Sequence, residues 1–253
     1  MFHAMEDLIQ TFTSILILKE DPKSIQIFFV DNLKKGPFLP IWKKIFSPNY
    51  PLIFLNELKV RKKMCCQKTI HNVHGGVSFL TYRGVGKETI CSSDLLKLFS
   101  NYVKNKFKII PKKDNKFFEN KNIVWISRRQ YKNISHTITR IIKNENDVIQ
   151  DVQNILPNKF RMYKIYFAQL SLKKQLLISS NTHVLIGVHG VGLTHAIFMN
   201  PGSHLIEMFL PGYRANKHFY NIAKWMNIHY HDVDISDQVN SKKNIFILNN
   251  IIK

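Results

Sequence analysis

The sequence has little of what would mark a disulfide-built, zinc-finger or membrane-spanning chain. Cysteine is scarce: Cys65, Cys66 and Cys91 make up the whole complement. Three do not form a disulfide framework, and adjacent cysteines rarely pair with each other, so one bridge from Cys91 to either neighbour is the most they offer. His71 and His74 lie near the Cys pair, but the C-x-x-C spacing of a zinc site is missing. No apolar run approaches the ~20 residues that a membrane span needs. Neither G-x-G-x-x-G nor G-x-x-x-x-G-K-[ST] occurs, and Gly84–Thr89 only looks like the second. Acidic residues are few: 17 Asp+Glu face 37 Lys+Arg, a net charge of +20. That balance suits a polyanionic partner such as a phosphorylated small molecule, membrane headgroups or nucleic acid. The abundance of Lys, Asn and Ile also reads as drift in an A/T-rich coding sequence. The basic residues are spread along the chain and no zinc-finger, RNP or basic-zipper pattern is present. Nucleic acid is therefore not expected as the partner, and a basic nucleic-acid-binding protein stays an alternative.

What is present is a folded α/β pattern. The chain has 253 residues, 45% hydrophobic and 12% aromatic, enough to bury a core in one large domain or two small ones. Residues 2–18 have the spacing of an amphipathic helix, and Glu6, Asp7 and Gln10 within it rule out a signal peptide. Residues 25–30 and 52–55 read as buried parallel strands, with a short helix at 38–46 between them. Residues 92–107 read as a helix capped by Ser92 or Ser93. The Lys- and Asn-dense stretch 104–122 reads as a linker between units 1–110 and 111–253. The second unit shows strands at 122–126, 164–167, 183–188, 203–209 and 228–230. Helices are expected at 144–155, 171–180, 193–199 and 214–226. Strand–helix alternation on both sides of a linker predicts two Rossmann-like α/β units with parallel sheets.

Several segments carry chemistry. In open α/β sheets ligands sit beyond the carboxyl ends of strands. His189-Gly-Val-Gly-Leu-Thr-His195 follows one such strand and opens a helix. Its glycines permit a tight turn and close approach. The helix N-terminus suits a phosphate, to which His189 and His195 could donate. Ser127-Arg128-Arg129 follows another strand, with Arg140 and Asn144-Glu145 beyond it. Arginine there can grip a pyrophosphate by bidentate contacts. Glu207 lies inside a buried-strand pattern, so it must pair, hydrogen-bond or face a pocket, with ribose hydroxyls or an arginine as partners. Asp232-Val-Asp234 is a D-x-D pair of the metal-binding kind, though no metal is expected. His74-Gly-Gly76 has no G-x-S-x-G nucleophile to serve. His3 and Asp7 are spaced i, i+4 on one helix face and form a candidate acid/base pair.

Taken in order, these pieces resemble glycosyltransferase family 61. The resemblance rests on Ile126-Ser-Arg-Arg129, Arg140-Ile-Ile-Lys-Asn-Glu145, Leu170-Ser-Leu-Lys-Lys-Gln175 and the stretch LIGVHGVGLTHAIFMNPGSHLIEMF. It is fainter upstream, at Phe2-His3 with Asp7 and at Phe38–Pro51. Departures are Ala4, Val191 in place of the usual Ala, and a longer insert before Arg140 that contains Asn133-Ile-Ser135, a glycosylation acceptor pattern. The resemblance implies a GT-B architecture with the first domain incomplete, and inverting, metal-independent transfer of a sugar to a protein or glycan hydroxyl. The implied donor is a UDP-sugar, UDP-N-acetylglucosamine foremost. Arg128, Arg129, Arg140, Asn144, His189, Gly190, Val191, Gly192, Leu193, Thr194 and Glu207 are its implied donor-binding residues. Asp7 or His3 is the implied base. It also implies an endoplasmic reticulum or Golgi lumen setting, with an anchor missing from this chain. An inactive relative that keeps the fold as a binding module is a further alternative.

Overall fold

A computed structural model describes residues 2–30, 36–58, 66–71, 80, 94–109, 121–128, 140–211 and 217–235. Helix α1 spans Phe2–Leu18. Its Met5, Leu8, Ile9, Phe12 and Ile15 recur at helical spacing and are buried. Strand β1 is Phe28–Phe29, and β2 is Ile53–Phe54. They pair in parallel as a two-stranded sheet. Between them α2, Leu39–Ile41, runs into a π-helical turn, Trp42–Phe46.

Strand β1 is a correction to the sequence reading. The run 25–30 is not covered on both faces. Ile25, Ile27 and Phe29 pack on the core, whereas Phe28 is 37% and Val30 67% exposed. Alternation of this kind marks a strand with one buried face. Helix α3 spans Leu95–Lys106 with Asp94 at its N-cap position. Ser92, Ser93 and most of the expected linker lie outside the described residues.

The second half builds a five-stranded parallel sheet. Its strands are β3 (Lys121–Ile126), β4 (Phe160–Ile165), β5 (Thr182–Val188), β6 (His204–Phe209) and β7 (His229–Asp234). The helices between them are α4 (Glu145–Ile155), α5 (Leu172–Ser180) and α6 (His218–Trp225). Where a helix was expected after the glycine turn, a 3-10 helix runs Val191–Phe198.

Central strands are covered on both faces, which is why they read as continuous apolar runs. Val124, Leu185 and Leu205 face one cluster with α1, α2, α3, α5 and α6. Trp125, Val184, Ile186 and Ile206 face the other with α4. One hydrophobic cluster thus joins Phe2, Met5 and Ile9 of α1 to Leu193, Ala196 and Phe198 of the 3-10 helix. Strand order is β4-β3-β5-β6-β7. The chain moves outward from β3 to β4, returns across β3 to β5, and then continues the other way. The sheet therefore has its topological switch between β3 and β5, the place where open α/β sheets bind ligands at the carboxyl ends of their strands.

Candidate functional site

The carboxyl ends of β3 and β5 carry the residues singled out above. Arg128 follows β3 and Ser127; His189 and Gly190 follow β5. Two guanidinium groups converge on a single acceptor. Arg128 Nη1 donates to the His189 carbonyl at 3.1 Å, and Arg140 Nη1 donates to the same oxygen at 2.8 Å. Two cations held at one carbonyl concentrate positive charge at the switch point, a setting that favours an anion.

The turn lies directly against Arg128. A Cβ on Gly190 would stand 2.3 Å from Arg128 Nη1, and one on Gly192 would stand 2.9 Å from Ile126 Cγ2. At Gly192 the neighbour is the short, branched Ile126 side chain, whereas at Gly190 it is the far end of Arg128, so a Cβ at position 190 would push the guanidinium aside. The Leu193 N–H donates to the Gly190 carbonyl at 2.9 Å and closes the first 3-10 turn. The N–H groups of Val191 and Gly192, in that first turn, have no acceptor inside the helix. Val191 is 51% exposed at the tip. Leu193 and Thr194 are fully buried. Leu193 shapes the turn from the core side, and the Thr194 hydroxyl is buried with no hydrogen-bond partner among the described residues.

His189 is buried and fixed from several directions. Its Nδ1 bonds the Glu207 carboxylate, and its backbone N–H donates to Met208 O at 2.8 Å. The ring stacks on Phe209 at 5.3 Å and meets Phe219 edge-on at 5.4 Å. Glu207 is fully buried and also accepts from Tyr230 Oη at 2.6 Å. This resolves the open question of its partners. They are His189 and Tyr230, not an arginine, and the carboxylate acts by fixing the imidazole tautomer with Nδ1 protonated. Tyr230 was not foreseen as part of the site; it lies on β7, one strand away from Glu207.

Beside Arg128 a cleft of about 390 Å³ is lined by Ile142, Lys143, Asn144, Glu145 and Lys164 among others. Asn144 occupies the N-cap position of α4 without a side-chain capping bond. Glu145 accepts from Trp125 Nε1 at 2.7 Å, Ser127 Oγ at 2.8 Å and Lys164 Nζ at 2.6 Å. It ties the start of α4 to the ends of β3 and β4 and so sets the approach of the chain to Arg140.

Elsewhere the expectations divide. His195 does not reach outward to an anion. It is 2% exposed, stacked on Phe167 at 3.6 Å, with Nδ1 2.8 Å from the Gly192 carbonyl. Burial pushes its pKa down to about 4 against the pull of the Gly192 carbonyl. His3 pairs with Glu6 at 2.7 Å, one residue short of the expected Asp7. Glu6 is fully buried whereas the His3 side chain is 80% exposed. The neighbouring Phe2 ring packs 5.1 Å from His218 and 6.1 Å from Phe219, which in turn touches His189. The start of α1 and the carboxyl end of β5 thus share a set of aromatic contacts.

Asp232 and Asp234 are exposed on β7. Among the described residues no group of three His, Cys, Asp or Glu is arranged to hold a metal ion. Cys66 is free and exposed. Arg129, Cys65, Cys91, His74–Gly76, Gly84–Thr89 and Asn133–Ser135 lie outside the described residues. No helix among the described residues is long and apolar enough to cross a membrane.

Comparison with known proteins gives these features a context. The family model described as Glycosyltransferase 61 matches residues 1–206. The EGF domain-specific O-linked N-acetylglucosamine transferase of Drosophila melanogaster is 24% identical over 215 residues, covering 83% of this chain and 38% of the relative. The protein of that name in Gallus gallus is 21% identical over 236 residues, 91% of this chain and 41% of its own. A β-1,2-xylosyltransferase of Oryza sativa subsp. japonica is 26% identical over 139 residues, 49% of this chain and 26% of the relative. The chain therefore spans from about a quarter to two fifths of the length of these relatives.

Proposed function

The chain belongs to glycosyltransferase family 61, and from that premise we propose that it moves a sugar from a nucleoside-diphosphate donor to a hydroxyl of a glycoprotein or glycan. UDP-N-acetylglucosamine is the proposed donor, in keeping with the relatives named for that transfer. UDP-xylose is the competing donor, since one relative is named a xylosyltransferase. The proposed architecture is GT-B, with the donor held by the unit after residue 110 and the acceptor approached from the unit before it. The proposed setting is the lumen of the endoplasmic reticulum or Golgi.

One observation carries the reading: Arg128 and Arg140 meet on the His189 carbonyl beside a glycine turn at the switch point of the sheet. A diphosphate placed there would take charge-assisted hydrogen bonds from both guanidinium groups and from the N–H groups at Val191 and Gly192. As the bond from the anomeric carbon to the diphosphate oxygen breaks, negative charge builds on that oxygen. Fixed cations and N–H groups stabilise it there without rearrangement. No metal is needed for that role if the two arginines fill it. Glu207 and Tyr230 contribute indirectly, by holding His189 and therefore the carbonyl on which both arginines rest.

The acceptor oxygen forms the new bond to the anomeric carbon from the opposite face, and its proton passes to a base. His3 is the proposed base, with Asp7 as the second candidate. Glu6 takes the Nδ1 side of the ring, which leaves Nε2 to accept the proton. The test is incubation with UDP-N-acetylglucosamine and with UDP-xylose, followed by NMR of any transferred sugar. Transfer of one sugar with inverted anomeric configuration is expected. Retained configuration, or hydrolysis that depends on added divalent metal, would contradict the mechanism.

A further inference from the structure

His195 lies behind the glycine turn, and its contacts give it a definite task. Gln175 on α5 uses its amide N–H groups on the Phe167 carbonyl at 3.0 Å and the Leu170 carbonyl at 2.9 Å. Its Oε1 is thereby directed at His195 Nε2, 3.1 Å away, while Nδ1 faces the Gly192 carbonyl at 2.8 Å. Both ring nitrogens meet acceptors, but a neutral imidazole has one proton to give. Burial keeps the ring neutral. The proton belongs on Nδ1, where the contact is shorter. Phe167 stacks parallel to the ring, 12° from coplanar, and fixes its plane.

Peptide planarity carries this restraint forward. The Gly192 carbonyl and the Leu193 N–H belong to one rigid unit. Fixing the carbonyl on His195 aims the Leu193 N–H at the Gly190 carbonyl, which it reaches at 2.9 Å. The Gly190 carbonyl and the Val191 N–H form the next rigid unit. In a trans peptide they point in opposite directions, so engaging the carbonyl inward turns the Val191 N–H outward. Arg128 lies against Gly190 and Ile126 against Gly192.

We propose that His195 is a positioning residue for the donor: from inside the core, through the Gly192 carbonyl, it holds the backbone of residues 190–193 in the conformation that presents the Val191 N–H beside Arg128 and Arg140. The proposal rests on the reading of this turn as part of a diphosphate site. It assigns no contact between His195 and the donor.

Two substitutions separate positioning from mere packing. His195→Leu keeps the apolar volume against Phe167 and removes the donor to Gly192. His195→Asn loses the ring but keeps an N–H at about the reach of Nδ1. Binding of UDP to the full chain is measured by calorimetry, and amide hydrogen exchange at residues 190–193 is measured without nucleotide. His195→Leu is expected to weaken UDP roughly tenfold, the value of about one hydrogen bond, and to speed exchange at these residues. His195→Asn is expected to restore both readouts to within about threefold of wild type, a margin below the worth of one such bond. Equal UDP affinity for the His195→Leu variant and wild type, or equal losses in both variants, would overturn the proposal. If wild type itself does not bind UDP, the diphosphate reading fails, and the exchange data decide separately whether His195 holds the turn. If His195→Leu does not fold, His195→Phe keeps a ring stacked on Phe167 and removes the same Nδ1 donor to Gly192. Faster exchange at 190–193 is then expected, and unchanged exchange would overturn the proposal.

Discussion

Gly190 has no room for even a methyl group, because Arg128 Nη1 would lie 2.3 Å from it. Gly190→Ala should therefore displace the guanidinium and leave the core intact. UDP affinity is expected to fall about tenfold or more, the scale of one charge-assisted hydrogen bond, with an unchanged far-UV circular dichroism spectrum. Wild-type affinity in the variant would show that Arg128 is not held against the turn. Glu207 supports a second prediction. It is fully buried with His189 and Tyr230 as partners. Tyr230→Phe removes one hydrogen bond to a buried carboxylate and should cost about 1.5–3 kcal/mol of stability in urea unfolding. A loss below about 0.5 kcal/mol, the floor for an ordinary hydrogen bond, would mean that the carboxylate has another adequate donor. These residues were unequally legible in the sequence. Arg128 and His189 announced themselves by following strands, and Arg140 by the Arg140–Glu145 stretch that resembles the family. The partners of Glu207 did not, because Tyr230 is brought next to it by the β6–β7 register and not by any local spacing. His195 was misjudged for a related reason: a histidine in a glycine turn looks outward until the helix behind it, with Gln175, is known.

Among the elements, β6 and β7 carry a pH-sensitive edge. His204 on β6 stacks on His229 at 4.8 Å and on His231 at 5.4 Å, with Nδ1 3.1 Å from His231 Nε2. Burial, then its two histidine neighbours and Lys121, push the His204 pKa down to about 4. His231 is lowered by burial and His229, with Asp232 pulling the other way. Nearby, His183 is lowered by burial and Lys121. Each is thus neutral when folded, whereas the unfolded chain takes up its protons near the ordinary value of 6.5. Stability contributed by neutral rings is complete above that pH and is lost as pH falls from 6.5 toward 4. Urea midpoints should drop steadily between these values, and His204→Phe should flatten the drop. A midpoint independent of pH would contradict the account. The same edge explains where elements were hard to read. Strands β3, β5 and β6 are buried on both faces and stood out as apolar runs. Edge strands β4 and β7 carry Arg161, Lys164, His229, His231 and Asp232, as exposed edges do. The sequence reading therefore started β4 late and stopped β7 early. Strand β1 erred the other way, since an apolar run with only one covered face looks the same as one with two.

For the molecule as a whole, a five-stranded parallel sheet with one topological switch brings residues 128, 140 and 189–192 together although they are far apart in sequence. Alternation of strands and helices made the α/β class legible. The order of strands was not, because it depends on which face each crossover helix covers. The net charge of +20 suited an anionic partner from the start. The switch point gives that charge a specific address, and family membership gives it a chemistry. Everything proposed for the donor depends on the two arginines gripping a diphosphate. Calorimetric titration of UDP into the full chain and into Arg140→Ala tests this most directly. Wild type should bind, and the variant should bind roughly 10- to 100-fold more weakly, the value of about 1.5–3 kcal/mol for a hydrogen bond to a charged group. Equal affinity in the two proteins, or no binding by either, would contradict the account.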